Sequence, residues 1–232
     1  MIQNRRIALA FRLGALIFAL AGVLVAVGAA SGEVGFGSLM FYTLQSNILA
    51  VILFAYLAFR TGRSMKENLC GSVGFNTRLV MVLTVDLLVT MIVFWAVLAP
   101  GVPPEYLLTF DNITVHTITP LLCLLDYILF SEAGRLKYRD VYYVCIFPLF
   151  YVVFATIAGQ AGYVFYYVNT TESLFSSAII QEPVRAPYFF LDFDEYGIMA
   201  VVFIAALVVF FLILSHVIYL IDRKRHRTKN DK

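Results

Sequence analysis

Six apolar stretches divide this chain, and each approaches or exceeds the roughly 20 residues that a helix needs to cross a hydrocarbon core. They run over 7–29, 40–59, 79–98, 113–130, 141–157 and 198–221. With 61% hydrophobic and 14% charged residues and a mean hydropathy of +0.85, the chain has little else to fold around. Unpaired backbone groups cannot sit in lipid, and no stretch alternates with the period of two of a membrane barrel, so each must be helical. The expected fold class is therefore all-α: a polytopic membrane protein with six transmembrane helices. No Gly/Ser-rich or charged linker divides it, so residues 1–232 read as a single bundle. The first stretch is too long for a signal peptide and has no A-x-A site behind it.

The basic residues set the orientation. All but two of the 17 lysines and arginines fall in the N-terminal stub, the second-to-third connection, the fourth-to-fifth connection or the tail. These segments share one side, which the positive-inside rule makes cytoplasmic, together with both termini. The exceptions are Arg185, opposite, and Arg12, inside a span. Acidic residues mark the outer side: Glu33, Glu105, Asp111, Glu172, Glu182, Asp192, Asp194 and Glu195. The net charge of +2 thus describes an asymmetry, with a basic tail that meets anionic headgroups; no nucleic-acid partner is expected. Cys70 lies in an inner connection and Cys123 and Cys145 in spans, so no disulfide is expected. No spacing suits a metal, and no cofactor is implied.

One connection, 158–197, is long, extracytoplasmic and aromatic, with Tyr163, Phe165, Tyr166, Tyr167, Phe189 and Phe190 among its residues. Such a loop packs on a bundle mouth or dips into the headgroup layer, as a lid or as an aromatic belt. Asn112-Ile-Thr114 and Asn169-Thr-Thr171 match the glycosylation sequon.

Two short segments carry the reactive-looking groups: Phe41-Tyr-Thr-Leu-Gln-Ser-Asn47 and Val115-His-Thr-Ile-Thr-Pro120. At 1.5 Å per residue, both Thr43 and His116 lie roughly 5 Å below the outer boundary. Thr43, Ser46 and Asn47 share one helical face, as do His116, Thr119 and Cys123 on the other helix. Polar stripes in a span face the bundle interior. Pro120 removes the N–H that would bond the carbonyl of residue 116, so a kink is expected there. A threonine hydroxyl needs a base, and imidazole is the usual one. Oxyanion or substrate-binding candidates are Asn47, Ser46, Thr119, Tyr42 and first-turn N–H groups of the second helix. No carboxylate is placed to complete a triad, Asp111 being a turn or more away, which leaves the ring to a backbone carbonyl, water or a group such as Tyr42.

On these two segments, in a chain of six spans with both ends inside, the sequence resembles the androgen-induced / androgen-dependent TFPI-regulating transmembrane hydrolase family. The resemblance implies an intramembrane hydrolase that cleaves lipid esters such as fatty acid esters of hydroxy fatty acids, with Thr43 as nucleophile and His116 as its histidine. The implied partner is a lipid or acyl-chain substrate; the look of the loops makes the plasma membrane of a bacterium the expected location. Ala186-Pro-Tyr-Phe-Phe-Leu-Asp192 is similar to a Pro-aromatic element of the bacterial branch.

Arg12, Asp86 and Asp126 form a second constellation, all three roughly 6 to 10 Å above the inner boundary. Mutual pairing inside the bundle is expected, because a lone charge in a span is costly. The set is either a structural ion network or a proton path. The latter supports a non-catalytic alternative, a lipid-binding protein or proton-coupled transporter, although no internal repeat or matched pair of broken helices is visible.

Overall fold

The structure is a computed structural model and describes residues 2–29, 31–32, 34–67, 73–171 and 179–230, with the side chains of 169–171, 179–180 and 229–230 left aside. Glu33, Cys70, Glu172, Lys232 and the side chains of Lys229 and Asn169 therefore lie outside the described residues. Six helices are long and apolar enough to cross a membrane: α1 (Arg5–Ala26), α2 (Tyr42–Lys66), α3 (Thr77–Gly101), α4 (Phe110–Phe130), α5 (Tyr138–Gln160) and α6 (Ile198–Thr228). The chain is an all-α, multi-pass membrane protein. Several of the helices overrun the apolar stretches at the ends that carry the basic residues, where polar residues extend a helix that lipid no longer constrains.

Local chemistry sets several helix starts. The Asn4 side chain accepts from the Arg6 and Ile7 N–H groups and opens α1. Asn76, in the left-handed region at φ 44°, accepts from Leu79 N–H and opens α3. α2 follows a 3-10 turn, Phe36–Met40, and its N-cap Phe41 has no side-chain acceptor.

Contacts group the chain into two compact units. The first comprises Met1–Cys145 and Phe210–Lys232. Its apolar core runs through Ala50, Leu53, Phe54 and Leu57 of α2, Met81, Val85 and Leu87 of α3, and Tyr127 of α4. Gly22 of α1 admits close approach to α4: a Cβ there would collide with Thr114 Cγ2. Two buried carboxylates tie down the connection between α4 and α5. Asp222 accepts from Gly134 N–H at 2.9 Å, and Asp140 accepts from Lys137 N–H at 2.9 Å and pairs with Arg78 at 2.8 Å.

The second unit is Ile146–Val209. Its long connection folds back as an antiparallel hairpin, β1 (Tyr166–Thr171) with β2 (Ile179–Val184), in the register Tyr166↔Val184 to Thr171↔Ile179. Gly159 of α5 lies hard against this segment, where a Cβ would meet the Arg185 carbonyl oxygen. The aromatic residues after the hairpin pack on one another, Tyr188 stacking on Phe190 with ring centroids 5.1 Å apart.

Candidate functional site

Both π turns of the described residues lie in α3 and α4 and meet each other. One covers Phe94–Leu98 near the C-terminal end of α3 and the other Thr114–Ile118 near the N-terminal end of α4. A π turn widens the helix by one residue and often marks a functional place. The same device ends both. Ala99 N–H reaches back five residues to the Phe94 carbonyl and is followed by Pro100; Thr119 N–H reaches back five to the Thr114 carbonyl and is followed by Pro120. A proline has no N–H to continue the register, so the wide turn stops there. The bend expected at His116 thus takes the form of a π turn that contains it.

The two turns are locked together by side chains. The Phe94 ring stacks on the His116 imidazole, centroids 3.6 Å apart and planes 14° from parallel. Beside it, Trp95 Nε1–H donates to Thr117 Oγ1 at 2.9 Å. His116 is 8% exposed, and its Nδ1 is buried with no hydrogen-bond partner among the described residues. Asp111, in the first turn of α4, is the charged group that acts on it electrostatically. Neither Phe94 nor Trp95 was singled out by sequence reasoning. The signal available was the matching six-residue interval, Phe94 to Pro100 and Thr114 to Pro120, in two successive spans.

Asn47 carries the link to α2. Its Nδ2 donates to the Thr43 carbonyl at 2.8 Å and to the Val115 carbonyl at 3.0 Å, which brings those oxygens within about 6 Å of each other. Thr43 and the residue preceding His116 are therefore neighbours at one level. No hydrogen bond joins Thr43 to His116 among the described residues. Ser46 donates to the Thr43 carbonyl at 2.9 Å. With Ser46 and Asn47 engaged in this way, neither has a side-chain donor left for an oxyanion. Thr119 is fully buried, and its hydroxyl has no partner among the described residues. The first turn of α2, by contrast, starts at Tyr42 without a side-chain cap, so the Thr43 N–H has no intrahelical acceptor.

The inner charges separate into two places, which corrects the reading of one constellation. Arg12 and Asp126 form a buried fork, Nε to Oδ1 at 2.7 Å and Nη2 to Oδ2 at 3.3 Å. Arg12 also donates to Thr61 Oγ1 at 2.6 Å and to the Val73 carbonyl at 3.0 Å, with the Phe130 ring 5.2 Å from its guanidinium carbon. Asp86 is not part of it. Thr84 Oγ1–H donates to the Cys123 carbonyl, which levels those residues; α3 and α4 then carry Asp86 and Asp126 in opposite directions, roughly 7 Å apart along the axes. Asp86 is fully buried, and its polar neighbour is the Tyr42 hydroxyl.

Cys123 and Cys145 are free thiols, and no cluster able to hold a metal exists among the described residues. Thr114, in the first sequon, is buried. In the second unit, a cleft of about 510 Å³ opens between α5 and the hairpin, lined by Thr156, Gln160, Glu182, Arg185 and Asp192 among others. Comparison with known protein families, with curated proteins and with solved structures finds no match.

Proposed function

We propose that this chain is an intramembrane threonine hydrolase that cleaves lipid esters, fatty acid esters of hydroxy fatty acids or similar, with Thr43 as nucleophile and His116 as base. The observation that carries the reading is the Asn47 amide, which joins the Thr43 carbonyl to the Val115 carbonyl and so seats the threonine beside the histidine-bearing turn. Two further features support it. His116 has an uncommitted buried nitrogen, and the Thr43 N–H, at the start of a helix without a side-chain cap, has no intrahelical acceptor to compete with a developing oxyanion.

In this mechanism the Thr43 hydroxyl gives its proton to His116 and its oxygen adds to the ester carbonyl. The tetrahedral oxyanion is held by the Thr43 N–H, since the Leu44 and Gln45 N–H groups bond the Phe41 carbonyl and the Ser46 and Asn47 donors are engaged elsewhere. Collapse breaks the ester C–O bond, and the histidine returns the proton to the departing alcohol. Water, deprotonated by the same histidine, then releases the fatty acid from Thr43. The pair acts as a dyad, with the ring oriented by its stack on Phe94. The substrate enters from the outer leaflet of the plasma membrane.

Asp86 favours a second reading, a proton-coupled transporter or lipid-binding protein, because this buried carboxylate has no ion-pair partner among the described residues. Labelling of detergent-solubilised protein by a fluorophosphonate separates the two. The hydrolase reading requires a labelled band that vanishes in Thr43→Ala and His116→Ala and persists in Asp86→Asn. Absence of labelling together with no turnover across a panel of lipid esters rejects it; uptake into liposomes that depends on Asp86 establishes the rival.

A further inference from the structure

We infer that Asn47 is a positioning residue whose side chain replaces the backbone donor missing at Pro120, so that one amide holds the threonine-bearing turn of α2 and the histidine-bearing turn of α4 together. The inference rests on the reading of Thr43 and His116 as the reacting pair.

In the π register Thr119 N–H takes the Thr114 carbonyl. The next acceptor in that register is Val115, and the next donor is Pro120, which has none. Val115 and Pro120 are both buried, so a carbonyl left unpaired there costs the desolvation of a full polar group. Asn47, itself with no exposed surface, supplies the bond to the Val115 carbonyl at 3.0 Å. Its other N–H is spent on the Thr43 carbonyl at 2.8 Å. The amide is thus held at two points and cannot rotate without losing both.

The turn in α3 provides the contrast. There Pro100 follows the π turn in the same way, but it is exposed at the end of the span, where solvent or headgroups can serve the Trp95 carbonyl. No side-chain donor to that carbonyl is present among the described residues. A deeply placed X-Pro after a π turn needs a side-chain substitute; a peripheral one does not. Asn47 is suited because an amide offers two N–H groups from one atom. Leucine fills the space without donors, and aspartate, nearly the same shape, sets an anion against two carbonyl oxygens.

The test is a cycle of Asn47→Leu, Pro120→Ala and their combination, with Asn47→Asp alongside, read by the rate of Thr43-dependent fluorophosphonate labelling and by the thermal midpoint in detergent. Alanine at 120 restores a backbone N–H that can take the Val115 carbonyl itself. Asn47→Leu and Asn47→Asp are expected to slow labelling roughly tenfold or more, by misplacing the pair, and to lower the midpoint. Pro120→Ala should stay close to the parent, and the double variant should recover both rate and midpoint relative to Asn47→Leu. A double variant no better than Asn47→Leu overturns the inference. Should Asn47→Leu not be recovered from membranes, Asn47→Thr, which keeps one donor, takes its place in the cycle. If the parent protein is never labelled, the hydrolase reading fails alone, and the coupling of midpoints between positions 47 and 120 still decides the positioning role.

Discussion

At the scale of single residues, close packing and buried charge make the sharpest demands. Gly22 leaves no room for a methyl group, since it would collide with Thr114 Cγ2. Gly22→Ala must therefore push α1 from α4 or turn Thr114, at a cost of about 1 to 3 kcal/mol. The expected sign is a lower thermal midpoint in detergent, partly restored by Thr114→Ser, which removes the clashing Cγ2; an unchanged midpoint rejects the close approach. The Arg12–Asp126 fork makes a different demand, because both ends are buried. Asp126→Asn leaves a buried guanidinium without its counter-charge and should cost about 3 to 5 kcal/mol. The double variant Arg12→Met/Asp126→Leu should cost less than that single change, measured by urea or thermal unfolding in the same detergent. The sequence made Arg12 and Asp126 legible as partners through depth alone. It misassigned Asp86 because residue counts from a loosely known span end give depth to within a turn, and one turn decides whether two carboxylates share a cation.

At the scale of elements, the paired π turns determine where His116 points. Trp95 Nε1–H bonded to Thr117 Oγ1 holds the turns in register one residue beyond the Phe94–His116 stack. Trp95→Phe keeps an aromatic ring and deletes only the donor, so it should cost about 1 kcal/mol of stability. Its larger effect should fall on the histidine, seen as a broadened or shifted imidazole resonance of His116 in NMR of selectively labelled protein. An unaltered resonance would mean that the stack stands without the indole bond. Pro120 announced a disturbed helix near His116 in the sequence, since its missing N–H is a property of one residue. The wide turn and its partner in α3 were not legible, because a π turn depends on how two helices meet. The same distinction applies to Ser46 and Asn47: their shared face follows from spacing, whereas the carbonyls that take up their donors belong partly to α4.

At the scale of the whole molecule, the sequence is most informative about topology, because hydropathy and charge sidedness are sums over many residues and tolerate local error. All six spans recur as helices long and apolar enough to cross a membrane, while the hairpin in the long connection, whose pairing is between residues far apart in that loop, was not foreseen. Orientation yields a prediction independent of any chemistry. With Cys70, Cys123 and Cys145 replaced, single cysteines at the exposed positions Glu105, Lys137 and Lys224 report their own side. In intact cells a membrane-impermeant maleimide should modify the cysteine at 105 and leave those at 137 and 224 untouched until the membrane is permeabilised. The reverse pattern would invert the molecule and move the Thr43 and His116 turns to the cytoplasmic leaflet together, because the Asn47 amide ties them to one level whichever way the chain is inserted. Under the proposed hydrolase reading, an outward orientation requires that lipid esters reach Thr43 from the outer leaflet, so that a non-permeant fluorophosphonate added to intact cells labels it as fully as it does in detergent.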